Sequence, residues 1–144
     1  MKKTILLFIA ILSFASCNND TSRVEKLETE VLAVHDEVMP RMDNIMSLQS
    51  KLKKKLTELD SLQLSGISSN TIAEERMKIA DLYKNLGVAD SLMMDWMHQY
   101  DGDSAKSLPV QEAIGYFESE RQRIQEVKVI TNKSIEEAET FFNN

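Results

Sequence analysis

Cysteine, proline and glycine are all scarce in this chain of 144 residues, which has one cysteine, two prolines and four glycines. β-Sandwiches, barrels and α/β folds need many tight turns, so a shortage of turn-forming residues argues against all three. A single cysteine excludes an intramolecular disulfide and a metal site built from thiolates. The residues that remain are mostly helix formers, and they predict one all-α domain after any targeting segment.

Basic residues are also in the minority, since 17 Lys and Arg stand against 23 Asp and Glu for a net charge of −6. Nucleic-acid binding needs a basic surface to neutralise phosphates, so no nucleic-acid partner is expected. A Gly-rich phosphate loop, a nucleophile elbow and a His-Glu-x-x-His helix are all missing from the sequence. We therefore predict that the protein is not an enzyme and has no cofactor, with one copper alternative considered below.

The N-terminus has the pattern of a lipoprotein signal peptide. Lys2 and Lys3 precede an apolar run, TILLFIAILSF, which is too short to span a bilayer as a stable helix. The run ends in Phe-Ala-Ser-Cys, which resembles a bacterial lipobox, although leucine is usual where Phe14 stands. An ordinary secretory leader with a chance cysteine is the alternative interpretation.

These features predict a signal peptide over 1–16 and a lipidated Cys17 on a short tether over 17–21. Acyl chains such as palmitate would hold the protein on a membrane without any spanning helix. We expect the protein in the cell envelope, on the inner or the outer membrane, facing the periplasm or the exterior.

Apolar residues at every seventh position predict an elongated, coiled-coil-like, antiparallel three-helix bundle over 22–144. The first helix is predicted over 22–64, from a capping box at Ser22. Its seven-residue seam consists of Val24, Val31, Val38, Ile45, Leu52 and Leu59. The second is predicted over 71–100 from a capping box at Thr71, and the third over 107–142 from Ser107. An exposed part of this seam could also receive a helix from a protein partner.

Methionine and histidine gather in two short segments. His35, Met39 and Met42 follow one another at steps of four and three, which places them on one helical face. Met93 and Met97 lie on the second helix. In a hairpin that turns near residue 67, residues whose numbers sum to about 134 share one height, so the two segments should meet.

Two interpretations of this layer remain open. Methionine fills irregular core gaps and packs well on aromatic rings such as Trp96. Pro40 should kink the first helix nearby, which makes adaptable side chains useful there. Alternatively, thioether and imidazole ligands select Cu(I), and His35, Met39, Met42, Met93 and Met97 would bind it between the first two helices.

The lipobox leader and two further segments, HDEVMPRM (35–42) and ADSLMMDWM (89–97), resemble small lipoproteins of Bacteroidota-type bacteria. Members of that family are often called "viral A-type inclusion protein", a name from which nothing viral follows. The resemblance implies a helical envelope lipoprotein and carries no catalytic residues. Together the sequence features predict a non-enzymatic, lipid-anchored helical bundle with a structural or protein-interaction role, and a Cu(I)-binding envelope lipoprotein as the alternative.

Overall fold

A computed structural model describes the backbone of residues 2–67 and 69–143 and the side chains of 20–67 and 69–143. The described residues form helices and no strand, which confirms the all-α prediction. The elements are α1 Lys2–Val38, a 3₁₀ turn Met39–Arg41, α2 Met42–Leu64, α3 Asn70–Gln99, α4 Gly102–Lys106 and α5 Val110–Asn143.

α1 and α5 run parallel, as expected for the first and third helices of an up-down-up bundle. Four side-chain hydrogen bonds join them at a constant offset of 91 residues. The bonded pairs are Asp20 with Gln111, Glu30 with Arg121, Glu37 with Lys128, and Arg41 with Asn132. A constant offset means that the two helices keep one register along this whole length.

α3 runs antiparallel to the first two helices. The His35 ring lies against Trp96, and the Lys55 ammonium pairs with the Glu75 carboxylate at 3.2 Å. The numbers in these two pairs sum to 131 and 130, close to the sum of about 134 that the turn position predicts. The difference of three to four residues amounts to about one helical turn along α3.

The buried side chains form two cores along the bundle. The proximal core, nearer Asp20, joins α1, α3, α4 and α5. It consists of Val24, Leu27, Val31, Val38, Met93, Trp96, Ala105, Ala113, Ile114, Phe117, Ile124 and Val127. The distal core is aliphatic and consists of Ile45, Leu48, Leu52, Leu59, Ile79, Leu82, Leu86, Ala89, Ile135 and Ala138. Every residue of the predicted seven-residue seam is buried in one of the two.

At its far end the bundle thins from three helices to two. With the offset of 91, the end of α5 at Asn143 lies level with Leu52 of α2. Residues 53–77 therefore extend past α5 as a pair of helices joined by a turn, here called the distal hairpin. Two ion pairs cross it, Lys55 with Glu75 and Asp60 with Arg76.

The turn of the distal hairpin follows the prediction closely. α2 ends at Leu64, and Gly66 has a φ of 82°, which only glycine adopts without strain. The Ile67 N–H donates to the Leu62 carbonyl and the Gly66 N–H to the Gln63 carbonyl. This pairing is a Schellman motif, which satisfies carbonyls at the end of a helix.

Several predicted helix ends differ from the structure. α1 runs through Ser22 from Lys2, because no proline or glycine interrupts the sequence before Pro40. α3 is capped by Ser69 rather than Thr71, and the Ser69 hydroxyl accepts from the Ile72 N–H at 3.2 Å. α5 begins at Val110, three residues after the predicted cap at Ser107.

The segment between the predicted second and third helices contains a short helix, α4, which the sequence analysis did not predict. Asp101 caps α4, because its Oδ1 accepts a hydrogen bond from the Ser104 N–H at 3.1 Å. The Ser104 hydrogen bonds hold the pKa of the Asp101 carboxyl below its usual value. Lys106 bridges α4 to Glu28 of α1 at 2.9 Å, and that hydrogen bond raises the pKa of its ammonium. α4 thus packs on α5, is tied to α1 by this ion pair, and contributes Ala105 to the proximal core.

Candidate functional site

The structure places the four predicted methionines along about 12 Å of the bundle, within or against the proximal core, and this stretch is here called the methionine layer. Met93 is fully buried, and Met39, Met42 and Met97 are partly buried against the same cluster. Met42 also contacts the distal core, so the layer lies where the two cores meet. The hairpin register predicted from the turn position accounts for this meeting of residues far apart in sequence.

His35 joins the layer through its ring. The ring centroid lies 5.6 Å from that of Trp96, and Nδ1 lies 3.0 Å from Oδ1 of Asp36. The side chain is 23% exposed, so one edge of the ring reaches solvent. A histidine that ligates a metal commonly has its other ring nitrogen bonded to a carboxylate, and His35 has such a contact.

Pro40 interrupts the helix inside this layer. The chain changes there from α-helical to 3₁₀ hydrogen bonding over Met39–Arg41 and then resumes as α2. The cause is the pyrrolidine ring, which has no N–H to donate to the Asp36 carbonyl. Arg41 ties the turn to α5, since its Nη1 donates to Oδ1 of Asn132 at 2.6 Å.

Two further methionines and one histidine near these segments are exposed and lie outside the layer. Met46 is 66% exposed and Met94 is 43% exposed. His98 is exposed as well. The layer therefore contains the five residues that the sequence singled out and excludes their neighbours.

Beside the methionines runs a row of aromatic rings that the sequence did not reveal as a unit. Trp96 stacks on Tyr100 at a centroid distance of 4.9 Å, and Tyr100 lies 6.3 Å from Tyr116. Tyr116 meets Phe117 edge to face at 5.3 Å. The spacing of four between Trp96 and Tyr100 places both on one face of α3, and this was the available signal.

Several buried polar atoms in this half of the bundle have no hydrogen-bond partner among the described residues. They are Nε1 of Trp96, Oη of Tyr100, Oε2 of Glu120 and Oγ1 of Thr131. Unpaired buried polar groups lower stability, so core packing alone does not explain why these residues are present. Burial, followed by the charge of Glu28, raises the pKa of Tyr100 to about 12.

A buried carboxylate lies on α5 beside the aromatic row. The buried carboxylate of Glu120 is held by Arg123, whose Nη1 donates to Oε1 at 2.8 Å. Arg123 also donates to Oε1 of Gln99 at 2.7 Å. Within the described residues, no three His, Cys, Asp or Glu side chains lie close enough to hold a metal ion. A metal in this layer would therefore need the methionine sulfurs.

The predicted leader and Cys17 lie outside the residues whose side chains are described, so the lipidation site stays a prediction. Among the described residues, no helix combines the length and apolar character that crossing a membrane requires. No family model, curated protein or solved structure matches the chain. The fold defines a helical bundle, and the suggested lipoprotein family stays a prediction.

Proposed function

We propose that the protein is a non-enzymatic, lipid-anchored helical bundle of the cell envelope that presents its distal hairpin to a protein partner. The observation that carries this proposal is the set of exposed apolar side chains on the distal hairpin. Leu64 is 89% exposed and Ile67 is 54% exposed at its turn, and Met77, two helical turns into α3, is 63% exposed. The predicted lipid anchor lies at the start of α1, at the opposite end of the bundle.

The length of the bundle supports a spacer role. Residues 20–64 of α1 and α2, at 1.5 Å per residue, extend about 65 Å from the predicted anchor to the hairpin turn. The side chains of the seven-residue seam are buried inside the chain itself, so they are occupied. A partner helix would therefore dock on the distal hairpin, where α5 no longer covers α2 and α3. Exposed apolar side chains that lie close together are typical of protein interaction sites.

The lipid anchor is tested by expressing the full chain with labelled palmitate and separating the membranes. We expect the wild-type protein to carry label and to sediment with membranes. Cys17→Ser should lose the label and leave the membrane fraction, because no acyl chain remains to hold it. Leu64→Ser, at the far end, is the matched control and should behave like the wild type. Equal labelling of Cys17→Ser and wild type would refute the anchor.

The docking role of the distal hairpin is tested with photo-reactive residues at positions 64 and 32 of the full chain in native membranes. Leu64 lies on the hairpin, and Leu32 is an exposed leucine on the side of α1. We expect one discrete cross-linked species from position 64 and none from position 32. Adding Ile67→Glu should abolish that species while helicity is kept. The same products from both positions would contradict a dedicated surface.

A second candidate function is Cu(I) binding in the methionine layer. It is supported by the convergence of Met39, Met42, Met93 and Met97 on one core and by the contact of His35 with Asp36. That contact engages Nδ1, so a metal would bind Nε2. Thioether sulfur and imidazole nitrogen together prefer Cu(I) over hard ions. The packing interpretation accounts for the same methionines without a metal.

The two interpretations of the layer are separated by titrating Cu(I) against a chromogenic chelator without oxygen. A copper protein should take up one equivalent, and Met42→Leu with Met97→Leu should lose it while staying helical. Met46→Leu with Met77→Leu replaces two exposed methionines and serves as the matched control. Failure of the wild type to compete with the chelator would reject copper and leave the layer as packing, where Met→Leu costs under about 1.5 kcal/mol.

A further inference from the structure

The turn between α4 and α5 exposes apolar residues at the proximal end of the bundle. Residues 107–110, Ser-Leu-Pro-Val, are all exposed, with Leu108 at 42% and Val110 at 36%. None of the four carries a charge. Isolated exposed apolar residues are normal on a protein surface. The position of these residues relative to α1 makes them informative.

The parallel register of α1 and α5 gives that position. Nε2 of Gln111 donates to Oδ2 of Asp20 at 3.0 Å. Cys17 precedes Asp20 by three residues, and Leu108 precedes Gln111 by three, so the predicted anchor and this turn belong to the same end of the bundle. The same offset of 91 recurs farther up the bundle, where Arg121 bonds Glu30, so the register does not drift.

Part of the backbone of this turn is satisfied by internal hydrogen bonds. The Ser107 N–H donates to the Ser104 carbonyl at 3.0 Å, and the Leu108 N–H donates to the Ala105 carbonyl at 3.1 Å. Pro109 has no N–H, and its carbonyl accepts from α5 at 2.8 and 3.0 Å. Each of these internal bonds lowers the cost of placing the turn in a lipid environment, where unpaired backbone groups are expensive.

We propose that residues 107–110 contact the surface of the membrane that holds Cys17, with the Leu108 and Val110 side chains inserted among the lipid headgroups. This inference rests on the lipid anchor proposed above. The bundle would then meet the membrane at two points, the acyl chains on α1 and the apolar turn before α5. Two contacts on neighbouring parallel helices restrain the tilt of the bundle, which a single acylated residue does not.

A lipid surface fits this turn better than a protein partner does. An anchor at Cys17, three residues before Asp20, would place headgroups near this end of the bundle, so the lipid is already at high local concentration. The turn also has no charged side chain that would need to lose its water on insertion. A second weak membrane contact beside an acyl chain is the usual way in which such anchoring becomes stable.

The chain offers a direct way to test the contact, because acylation consumes the thiol of its single cysteine. Leu108→Cys then provides one free thiol for an environment-sensitive fluorophore. The labelled full chain is reconstituted into phosphatidylcholine vesicles that carry a nitroxide near the top of the acyl chain. We expect strong quenching of the fluorophore at position 108.

Two matched positions distinguish insertion from mere nearness to the membrane. Asp103→Cys lies at the same end, on α4, whose Lys106 pairs with Glu28 about 12 Å farther along α1 than Asp20. Leu64→Cys lies on the distal hairpin. Quenching should be several-fold weaker at 103 than at 108 and absent at 64. Equal quenching at 103 and 108, or none at 108, would overturn the proposed contact.

Mass spectrometry of the same samples separates the two proposals. An acylated chain whose position 108 stays unquenched would overturn only the contact of the turn and leave the anchor intact. A mature chain without acyl mass would overturn the anchor and the contact together. Circular dichroism of each labelled variant should match the wild type, because all three positions are exposed.

Discussion

The two halves of the bundle use different side chains to solve the same packing problem. The distal core is aliphatic throughout and ends as two helices. The proximal core contains Trp96 and Phe117, has the methionine layer at its edge and includes Ala105 of α4. The boundary between the halves coincides with the 3₁₀ turn at Pro40.

This difference shows which features are needed to hold the long helices together and which are not. A regular aliphatic seam is sufficient to hold long helices together, and the distal half shows it. The proximal half adds a row of aromatic rings, unpaired buried polar atoms and an interrupted helix, each of which costs stability or regularity. Proteins commonly depart from regular packing at functional sites. A small ligand, such as the copper ion considered above, is therefore expected in the proximal half.

The largest expected effect compares truncations in the two cores. Phe117→Ala should lower the free energy of unfolding by about 3–5 kcal/mol, because a fully buried ring leaves a cavity among four helices. Leu59→Ala should cost about 2 kcal/mol, since two helices alone can close around the gap. Urea unfolding followed by circular dichroism measures both. A larger loss from Leu59→Ala would show that the distal half carries the stability.

A smaller effect, of opposite sign in the two halves, is expected from replacing glycines. In Gly102→Ala the new Cβ would lie 2.6 Å from Oη of Tyr100, and such overpacking costs about 1–3 kcal/mol. In Gly87→Ala the nearest atom is Nε2 of Gln49 at 3.6 Å, an ordinary contact. Alanine in mid-helix should then stabilise by about 0.5–1 kcal/mol.

Thermal unfolding measures the two glycine variants side by side. Adding Tyr100→Phe to Gly102→Ala removes the closest contact, so it should restore part of the loss. If Gly102→Ala is as stable as the wild type, the close packing of Tyr100 over α4 is not present in solution.

The regular features of the fold could be predicted from the sequence. The seven-residue step from Val24 to Leu59 identified buried residues in both halves, and the hairpin register brought Met39 and Met93 into one layer. Both predictions depend on helical geometry alone, which is the same in every protein. The methionine layer could therefore be predicted from the sequence, although the row of aromatic rings beside it was not.

The buried Thr131 and Ser134 of α5 were not predicted, because only apolar residues were considered as candidates for the core. The apolar Ile130 is 37% exposed, whereas the polar Thr131 beside it is fully buried. A step of seven leads from Ile124 to Thr131 and from Val127 to Ser134, whereas the same step reaches Ile130 only from Arg123. The helical period, applied without regard to residue type, would have found both.

The short helix α4 was missed for a different reason. A helix of five residues has too few positions to show a period, and its sequence, Gly-Asp-Ser-Ala-Lys, contains one apolar residue. What stabilises it is tertiary: the buried side of Ala105 and the bridge from Lys106 to Glu28. Such contacts depend on the packing of α1, which the local sequence does not report.

The smallest effect at neutral pH, and the one most specific to the proximal half, comes from Tyr100. Its pKa is raised to about 12, chiefly by burial, from an ordinary value near 10. Below pH 10 the phenol is protonated in the folded and the unfolded chain alike, so the full stability is present. As the pH rises from 10 to 12 the unfolded chain loses this proton first, and the free energy of unfolding falls.

Tyr100→Phe should remove that part of the alkaline decline, as measured by urea unfolding at pH 8 and at pH 11. At pH 8 the substitution should change stability by less than about 1 kcal/mol, because the Tyr100 hydroxyl has no partner among the described residues. Tyr83→Phe, at the exposed tyrosine of the distal half, is the control and should leave the alkaline decline unchanged. An equal decline in Tyr100→Phe and wild type would mean that the Tyr100 ring is solvated. The proximal core would then be open to solvent at Tyr100, as the distal hairpin is at its turn.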